Sequence, residues 1–288
     1  MPVSPDASPR SVLVTGCSSG IGHAAAHALA RRGWRVFATA RREADLGGLR
    51  DSGLTAVALE LDDSASIEAC VATVLEATGG RLDALFNNAA YGQPGAVEDL
   101  GREVLRAQLE TNLLGTHELT CRVLPAMRRQ GHGRIVQNSS VLGLAALPYR
   151  GAYVCSKFAL EGLTDTLRLE LTGSGIQVSL IEPGPITSRF RENAYRAFKA
   201  HIDTTHSAHA DTYRAVEARL AGDDGGGRFT LGAEAVVDKL VHALESPRPR
   251  ARYYVTLPTH LFGTLRRLLG TRALDRVLLR STRDERQP

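Results

Sequence analysis

Tyr153 and Lys157 stand four residues apart in the run Tyr153-Val154-Cys155-Ser156-Lys157, so on a helix they share one face, one turn apart. A phenol titrates near ~10 when unperturbed, which makes it a poor proton donor or acceptor at neutral pH. An ammonium one turn away favours the phenolate, so the expected Tyr153 pKa is lowered into the range where it serves general acid–base chemistry. Ser140 lies 13 residues upstream of Tyr153, just after the apolar run Arg134 to Asn138. A hydroxyl at the tip of that strand would meet a helix beginning near Gly151. Serine, tyrosine and lysine together could then grip a carbonyl oxygen and pass it a proton. The same Tyr–Lys spacing also arises in an exposed helical pair, and the surrounding elements have to decide between the two.

Those elements alternate. Ser11 to Thr15 has the pattern of a short buried strand and leads into Gly16-Cys17-Ser18-Ser19-Gly20-Ile21-Gly22, then the helical run Ala24 to Arg32 capped by Gly33. Further strands are expected at Trp34 to Thr39, Val57 to Leu61, Leu82 to Phe86, Arg134 to Asn138 and Gln177 to Ile181. Helices are expected at Ser64 to Ala77, about 99–129 and Gly151 to Leu171. Such alternation means βαβ units and a parallel sheet covered on both faces, hence a doubly wound, Rossmann-like α/β fold.

One domain is expected over 11–260, after a disordered lead-in at 1–10. From Ser188 to Arg228 the pattern becomes a polar helical insertion ending in Gly225-Gly226-Gly227. It reads as a substrate lid on a flexible hinge, or as a packed surface helix without a gating role. Ala233 to Leu244 reads as a helix and Tyr253 to Val255 as an edge strand. Leu261 to Leu279 reads as an amphipathic, Arg-rich stretch within an extension over 261–288.

The totals narrow the function classes. With 288 residues, 43% apolar and 23% charged, the chain can bury a sizeable core. A net charge of +4, with much of its basic excess near the C-terminus, implies no nucleic-acid surface. Cys17, Cys70, Cys121 and Cys155 are scattered, which fits reduced thiols in a cytoplasmic protein better than disulfides or zinc. Met1 to Arg10 has no apolar core of a signal peptide, and no apolar run approaches the ~18 residues of a membrane span. His201, His206 and His209 invite a metal reading, but a solvated helix is favoured and no metal is expected.

The glycine cluster directly after the first strand is a context for phosphate, since glycines let backbone approach closely and a helix N-terminus favours anions. A lone cluster could also mark only a turn. After strand two the sequence reads Ala38-Thr39-Ala40-Arg41-Arg42, without the acid that would bind a ribose 2′-hydroxyl. Guanidinium groups there suit a 2′-phosphate, with Ser18 adding a hydroxyl, so NADP is favoured over NAD. The alternative is a pair of solvated loop arginines. Asp62 is placed for an adenine amino group, or as a helix N-cap in competition with Asp63 and Ser64. Asn87-Asn88-Ala89-Ala90 and Pro183-Gly184-Pro185-Ile186-Thr187 also follow strands, at the sheet edge where such folds bind ligands.

The ordered set Thr15-Gly16-(x3)-Gly20-Ile21-Gly22, Asn87-Asn88-Ala89, Asn112, Ser140, Tyr153-(x3)-Lys157 and Pro183-Gly184 resembles the short-chain dehydrogenase/reductase family, over roughly residues 11–190. The segments 15–22, 38–42 and 181–186 look most like bacterial NADP-dependent aldehyde reductases, and more distantly vertebrate retinol and estradiol 17-beta dehydrogenases. The resemblance implies that Tyr153 donates or accepts the proton, while Lys157 lowers its pKa and holds the nicotinamide ribose. Ser140 would orient the substrate oxygen, and Asn112 would complete a water-linked relay. The cofactor would lie on Gly16, Ser18, Ser19, Gly20, Ile21, Gly22, Arg41, Arg42, Asp62, Asn88, Ala89, Tyr153, Lys157, Pro183, Gly184, Ile186 and Thr187.

An apolar aldehyde, ketone or alcohol is the implied substrate, and a homodimer or homotetramer through the helices at 99–129 and 151–171 the implied assembly. The chain departs from the family at Ala90, where glycine is usual. Competing readings are an NAD-dependent alcohol or steroid dehydrogenase and a non-catalytic dinucleotide sensor. The Arg-rich C-terminus could also rest weakly on an anionic membrane.

Overall fold

In the computed structural model, residues 9–222, 227 and 229–283 are described. Apolar residues two apart settle the layering. In β1 (Ser11–Val14), Val12 and Val14 face one core while Leu13 faces the other. The pattern repeats in β2 (Arg35–Ala40), where Val36 and Ala38 oppose Phe37, and in β4 (Ala84–Asn87), where Phe86 opposes Leu85. Sheet strands buried on both faces require helices on both faces.

One face is covered by α1 (Gly20–Arg31) and α9 (Glu234–Glu245). The other is covered by α3 (Ser64–Ala77), α5 (Gly115–Gln130) and the end of α6 (Gly151–Glu170). With β3 (Thr55–Ala58), β5 (Gly133–Asn138), β6 (Ile176–Glu182) and β7 (Arg252–Tyr254), the strands form one sheet in the order β3-β2-β1-β4-β5-β6-β7. Every pairing is parallel. The order reverses between β1 and β4, and open α/β sheets bind ligands at that crevice.

Several expectations need correcting. A helix α2 (Glu43–Asp51) follows β2 where none was read, because only Leu46 and Leu49 mark its buried side and Gly47-Gly48 at its centre are poor helix formers. The stretch at 99–129 is divided into α4 (Arg102–Leu109), a π-helical turn at Glu110–Leu114 and α5. The insertion folds as α7 (Phe190–His201) and α8 (Ala210–Ala221) around its own apolar cluster of Ala96, Ala194, Phe198, Ile202, Tyr213, Val216 and Leu220.

The C-terminal stretch is two helices, α10 (Leu257–Leu268) and α11 (Thr271–Ser281), parted at Gly270, so the boundary at 260 falls inside α10. Of the glycine hinge, residues 225 and 226 lie outside the described residues, as do residues 1–8 of the lead-in. Arg10 is tied in, its carbonyl accepting from the Arg35 N–H at 2.8 Å. No helix among the described residues is long and apolar enough to cross a membrane.

Candidate active site

The turn after β1 is shaped by close approach. Gly16 takes φ +73°, and a Cβ there would stand 2.8 Å from the Ala89 Cα. A Cβ on Gly22 would strike the Gly16 carbonyl and come within 2.7 Å of the Asn88 amide nitrogen. The tips of β1 and β4 therefore lie close and are joined by side-chain-to-backbone hydrogen bonds. Thr15 Oγ1 accepts from the N–H groups of Asn88 at 2.8 Å and Ala89 at 2.9 Å, and Asn88 Nδ2 donates to the Thr15 carbonyl at 2.9 Å. Ile21 packs against the core beneath the turn. Ser19, the N-cap of α1, makes no side-chain cap bond, so the first N–H groups of that helix are left for an anion. This cradle fits a dinucleotide phosphate. Ala90 is compatible with it, since Tyr149 is the one described non-glycine residue at positive φ.

At the ends of β2 and β3 the charged residues separate. Arg42 is the N-cap of α2 and is turned onto Asp45 through two hydrogen bonds of 2.7 and 3.0 Å. Arg41 points along the sheet edge, 3.6 Å from Glu60, with its side chain 69% exposed and open to a ligand. Asp63, not Asp62, caps α3, accepting from the Ala65 N–H at 2.9 Å. Asp62 stays exposed beside Glu60, whose carboxyl is raised first by burial. Beyond β6, the Pro183 carbonyl accepts from Val141 N–H at 2.7 Å, and Thr187 N–H donates to Leu231 at 2.9 Å. Gly184 abuts the Thr256 hydroxyl and Ile186 packs on the core.

The structure brings Ser140, Tyr153 and Lys157 together. Ser140 begins the turn after β5, its hydroxyl accepting from Leu142 N–H at 3.1 Å and hydrogen-bonding Tyr153. Lys157 is 2% exposed; its Nζ donates to the Asn138 carbonyl at 2.7 Å and lies 5.6 Å from the centre of the Tyr153 ring. Asn112 sits in the π-helical turn with both side-chain groups engaged. Its Oδ1 accepts from Tyr91 N–H at 3.1 Å, while Nδ2 donates to the Tyr91 carbonyl at 2.8 Å and to Ser156 Oγ at 3.3 Å. Ser156 in turn donates to the Tyr153 carbonyl at 2.8 Å.

The direction of the tyrosine shift needs correction. Burial pushes the Tyr153 phenol up to about 12, with the Ser140 hydroxyl opposing. Burial outweighs any pull of the Lys157 ammonium, which lies 5.6 Å from the ring centre and is bonded to the Asn138 carbonyl. Burial also pulls Lys157 down to about 8, against the pull of the Glu161 carboxylate one turn along α6.

Other residues at the site gave no motif in the sequence. Asn138 Nδ2 donates to Asn88 Oδ1 at 2.9 Å, joining the β5 and β4 tips. Arg252 of β7 binds Glu161, Glu182 at 2.8 Å and Asp165 at 2.6 Å behind Lys157. Burial, then the charge of Glu161, pushes the Glu182 carboxyl up to about 8 despite Arg252. A charged residue closing the apolar strand Ile176–Glu182 was the one available signal of that cluster.

Phe190, the first residue of α7, meets Tyr153 edge-on at 5.3 Å, and Gly92 leaves room for its ring, since a Cβ there would be 2.9 Å from Phe190 Cζ. The insertion is fastened by Tyr213, whose hydroxyl donates to Asp99 and accepts from Ala96 N–H at 2.9 Å. The three histidines of the insertion do not converge. His201 pairs with Gln93, His206 with Asp203 and His209 with Glu98, and the described residues hold no cluster of three metal-ligating side chains.

Known proteins resemble this chain over most of its length. The family model for short chain dehydrogenase matches residues 10–198. An uncharacterized oxidoreductase, YbbO of Escherichia coli (strain K12), is 44% identical over 269 residues, covering 93% of this chain and 94% of that protein. Human 17-beta-hydroxysteroid dehydrogenase type 1 is 34% identical over 85% of this chain and 77% of its own length. Among solved structures, a short chain dehydrogenase/reductase from Burkholderia phymatum in complex with NAD superposes with a TM-score of 0.76 at 26% identity, covering 90% of this chain and 92% of that one.

Proposed function

We propose that this chain, which belongs to the short-chain dehydrogenase/reductase family and is an oxidoreductase of it, transfers a hydride between NADP(H) and an apolar aldehyde, ketone or secondary alcohol. The observation that carries the reading is the convergence of Ser140 and Lys157 on Tyr153 at the sheet edge that also holds the glycine cradle.

A nicotinamide dinucleotide, when bound, supplies or takes up the hydride. The Gly16–Gly22 turn, Asn88, Ala89 and the 183–187 turn would hold it, with Arg41 and Ser18 toward a 2′-phosphate. Tyr153, kept neutral by a pKa near 12, is in the form that gives a proton to a carbonyl oxygen becoming an alkoxide. Ser140 holds that oxygen. Lys157 keeps a positive charge beside the ring, and the Asn112–Ser156 pair ties the helix bearing Tyr153 to the π-helical turn.

The absence of an acid at the end of β2 supports NADP over NAD, although the Burkholderia structure holds NAD. Phe190 against Tyr153 supports an apolar substrate. Exposed Leu163 and Leu169 on α6, with Leu114 at the end of the π-helical turn, support a homo-oligomer. Exposed Leu257, Leu261 and Leu268 beside arginines support a weak contact with an anionic membrane surface, and scattered thiols support a cytoplasmic location. The test is oxidation of NADPH and NADH, followed by absorbance, with aldehydes and ketones of graded chain length. Wild type should prefer NADPH, and Arg41→Asp should shift that preference toward NADH. Wild-type preference for NADH would refute the cofactor assignment.

A further inference from the structure

Consecutive residues at the start of the lid touch two different parts of the site. Arg189 donates from Nη2 to the Ser18 backbone carbonyl at 3.1 Å, a contact across 171 residues of sequence. Phe190, next in the chain, packs edge-on against Tyr153 at 5.3 Å. Just before them, Ser188 Cβ lies 3.0 Å from where a Gly20 Cβ would stand, so glycine at φ +58° lets the lid rest on the phosphate-binding turn.

The Arg189 side chain is on an exposed residue, and a guanidinium offers five N–H donors in a fork that fits phosphate better than a neutral carbonyl. Its charge also reaches the end of β2. Asp45 is held below the usual carboxylate range by its hydrogen bond to Arg42 against the opposing effect of burial, and Arg189 and Arg41 add to that pull. Three guanidiniums, one of them from the insertion, therefore act on Asp45 just beyond the end of β2.

We propose that Arg189 is a phosphate ligand of the bound dinucleotide, and that this contact seats Phe190 against Tyr153. The inference rests on the dinucleotide-binding reading above and adds to it a residue outside every motif of the sequence. Moving from the Ser18 carbonyl to a phosphate oxygen exchanges a neutral acceptor for a charged one, so binding locks the first turn of α7 where it already rests on the cofactor turn. Phe190 then forms a fixed apolar wall beside the proton donor.

The test measures NADPH and NADH dissociation constants by fluorescence titration for wild type, Arg189→Ala, Arg189→Lys and Arg196→Ala. Arg196 is an exposed residue of the same helix, paired with Glu192 and Asn193, and serves as the control. Arg189→Ala should weaken binding about tenfold or more, as loss of a charge-assisted hydrogen bond does. Arg189→Lys should recover part of the loss, and Arg196→Ala should match wild type. Loss confined to NADPH assigns the contact to the 2′-phosphate; equal loss for both cofactors assigns it to the diphosphate.

Amide hydrogen exchange in α7 should slow on adding NADPH to wild type but not to Arg189→Ala. Unchanged affinity of Arg189→Ala for both cofactors would overturn the proposal, and unchanged slowing in α7 would overturn the seating of Phe190. Wild type that binds neither cofactor would instead refute the dinucleotide-binding reading.

Discussion

Replacing Lys157 with methionine removes a buried ammonium while keeping most of its length. Burial lowers Lys157 from its ordinary 10.5 to about 8. Each pH unit of such a shift is worth about 1.4 kcal/mol, so holding the charge inside the fold costs roughly 3 kcal/mol wherever it is charged. The folded pKa lies below the unfolded one, so the unfolded chain binds more protons between about 8 and 10.5. Stability from this group therefore rises as pH climbs through that window, and the full penalty stands below it.

Opposing the gain in the variant is the lost bond to the Asn138 carbonyl at 2.7 Å, whose unmet acceptor costs about 1–3 kcal/mol at every pH. Glu182, pushed up to about 8, titrates in both proteins and largely cancels in their difference. Urea unfolding of both proteins without added dinucleotide, from about pH 7 to the ordinary lysine pKa, gives the difference directly. Lys157→Met should gain roughly 3 kcal/mol relative to wild type at the lower pH compared with the higher. A difference that is flat with pH, or that favours wild type more at low pH, would refute the reasoning.

The cradle makes a second prediction. Gly22→Ala places a methyl group against the Gly16 carbonyl and 2.7 Å from Asn88 Nδ2, and overpacking of this kind typically costs about 1–3 kcal/mol. NADPH affinity by fluorescence titration should fall about tenfold or more while the circular dichroism spectrum stays native; wild-type affinity would contradict the packing argument. Arg252→Met should destabilise by about 3–5 kcal/mol once pH rises above about 8, where Glu182 ionises in the fold and both it and Glu161 lack their buried counter-ion. Glu182 titrates higher in the fold than its ordinary 4.5, so its contribution is fully present below that value and is lost as pH rises through about 8. Thermal melts of Arg252→Met should lie nearest wild type in acid, and a gap that widens in acid would oppose this account.

What the sequence made legible follows from how local each cause is. Val12, Leu13 and Val14 alternate between two cores, so their strand and its two-sided burial could be read without coordinates. Tyr153 and Lys157 share a helix, and Gly16 to Gly22 a single turn, so spacing alone placed them. Helix α2 was hidden because its buried side is two leucines, and the break at Gly270 because the apolar pattern continues across it. Contacts such as Arg189 to Ser18 and Arg252 to Glu161 join residues far apart in sequence, which no periodicity encodes. The Tyr153 shift was misjudged in direction because desolvation depends on everything packed around the phenol, whereas the sequence showed only its lysine neighbour.

The central claim is that Tyr153 gives the proton. Its most direct test is NADPH-dependent reduction of a long-chain aldehyde by wild type and Tyr153→Phe, with NADPH affinity measured on both. The phenylalanine keeps the ring that packs against Phe190 and removes only the hydroxyl. The account predicts a rate at least about 100-fold lower in the variant, at nearly unchanged NADPH affinity. A Tyr153→Phe enzyme that reduces the aldehyde at the wild-type rate would contradict it.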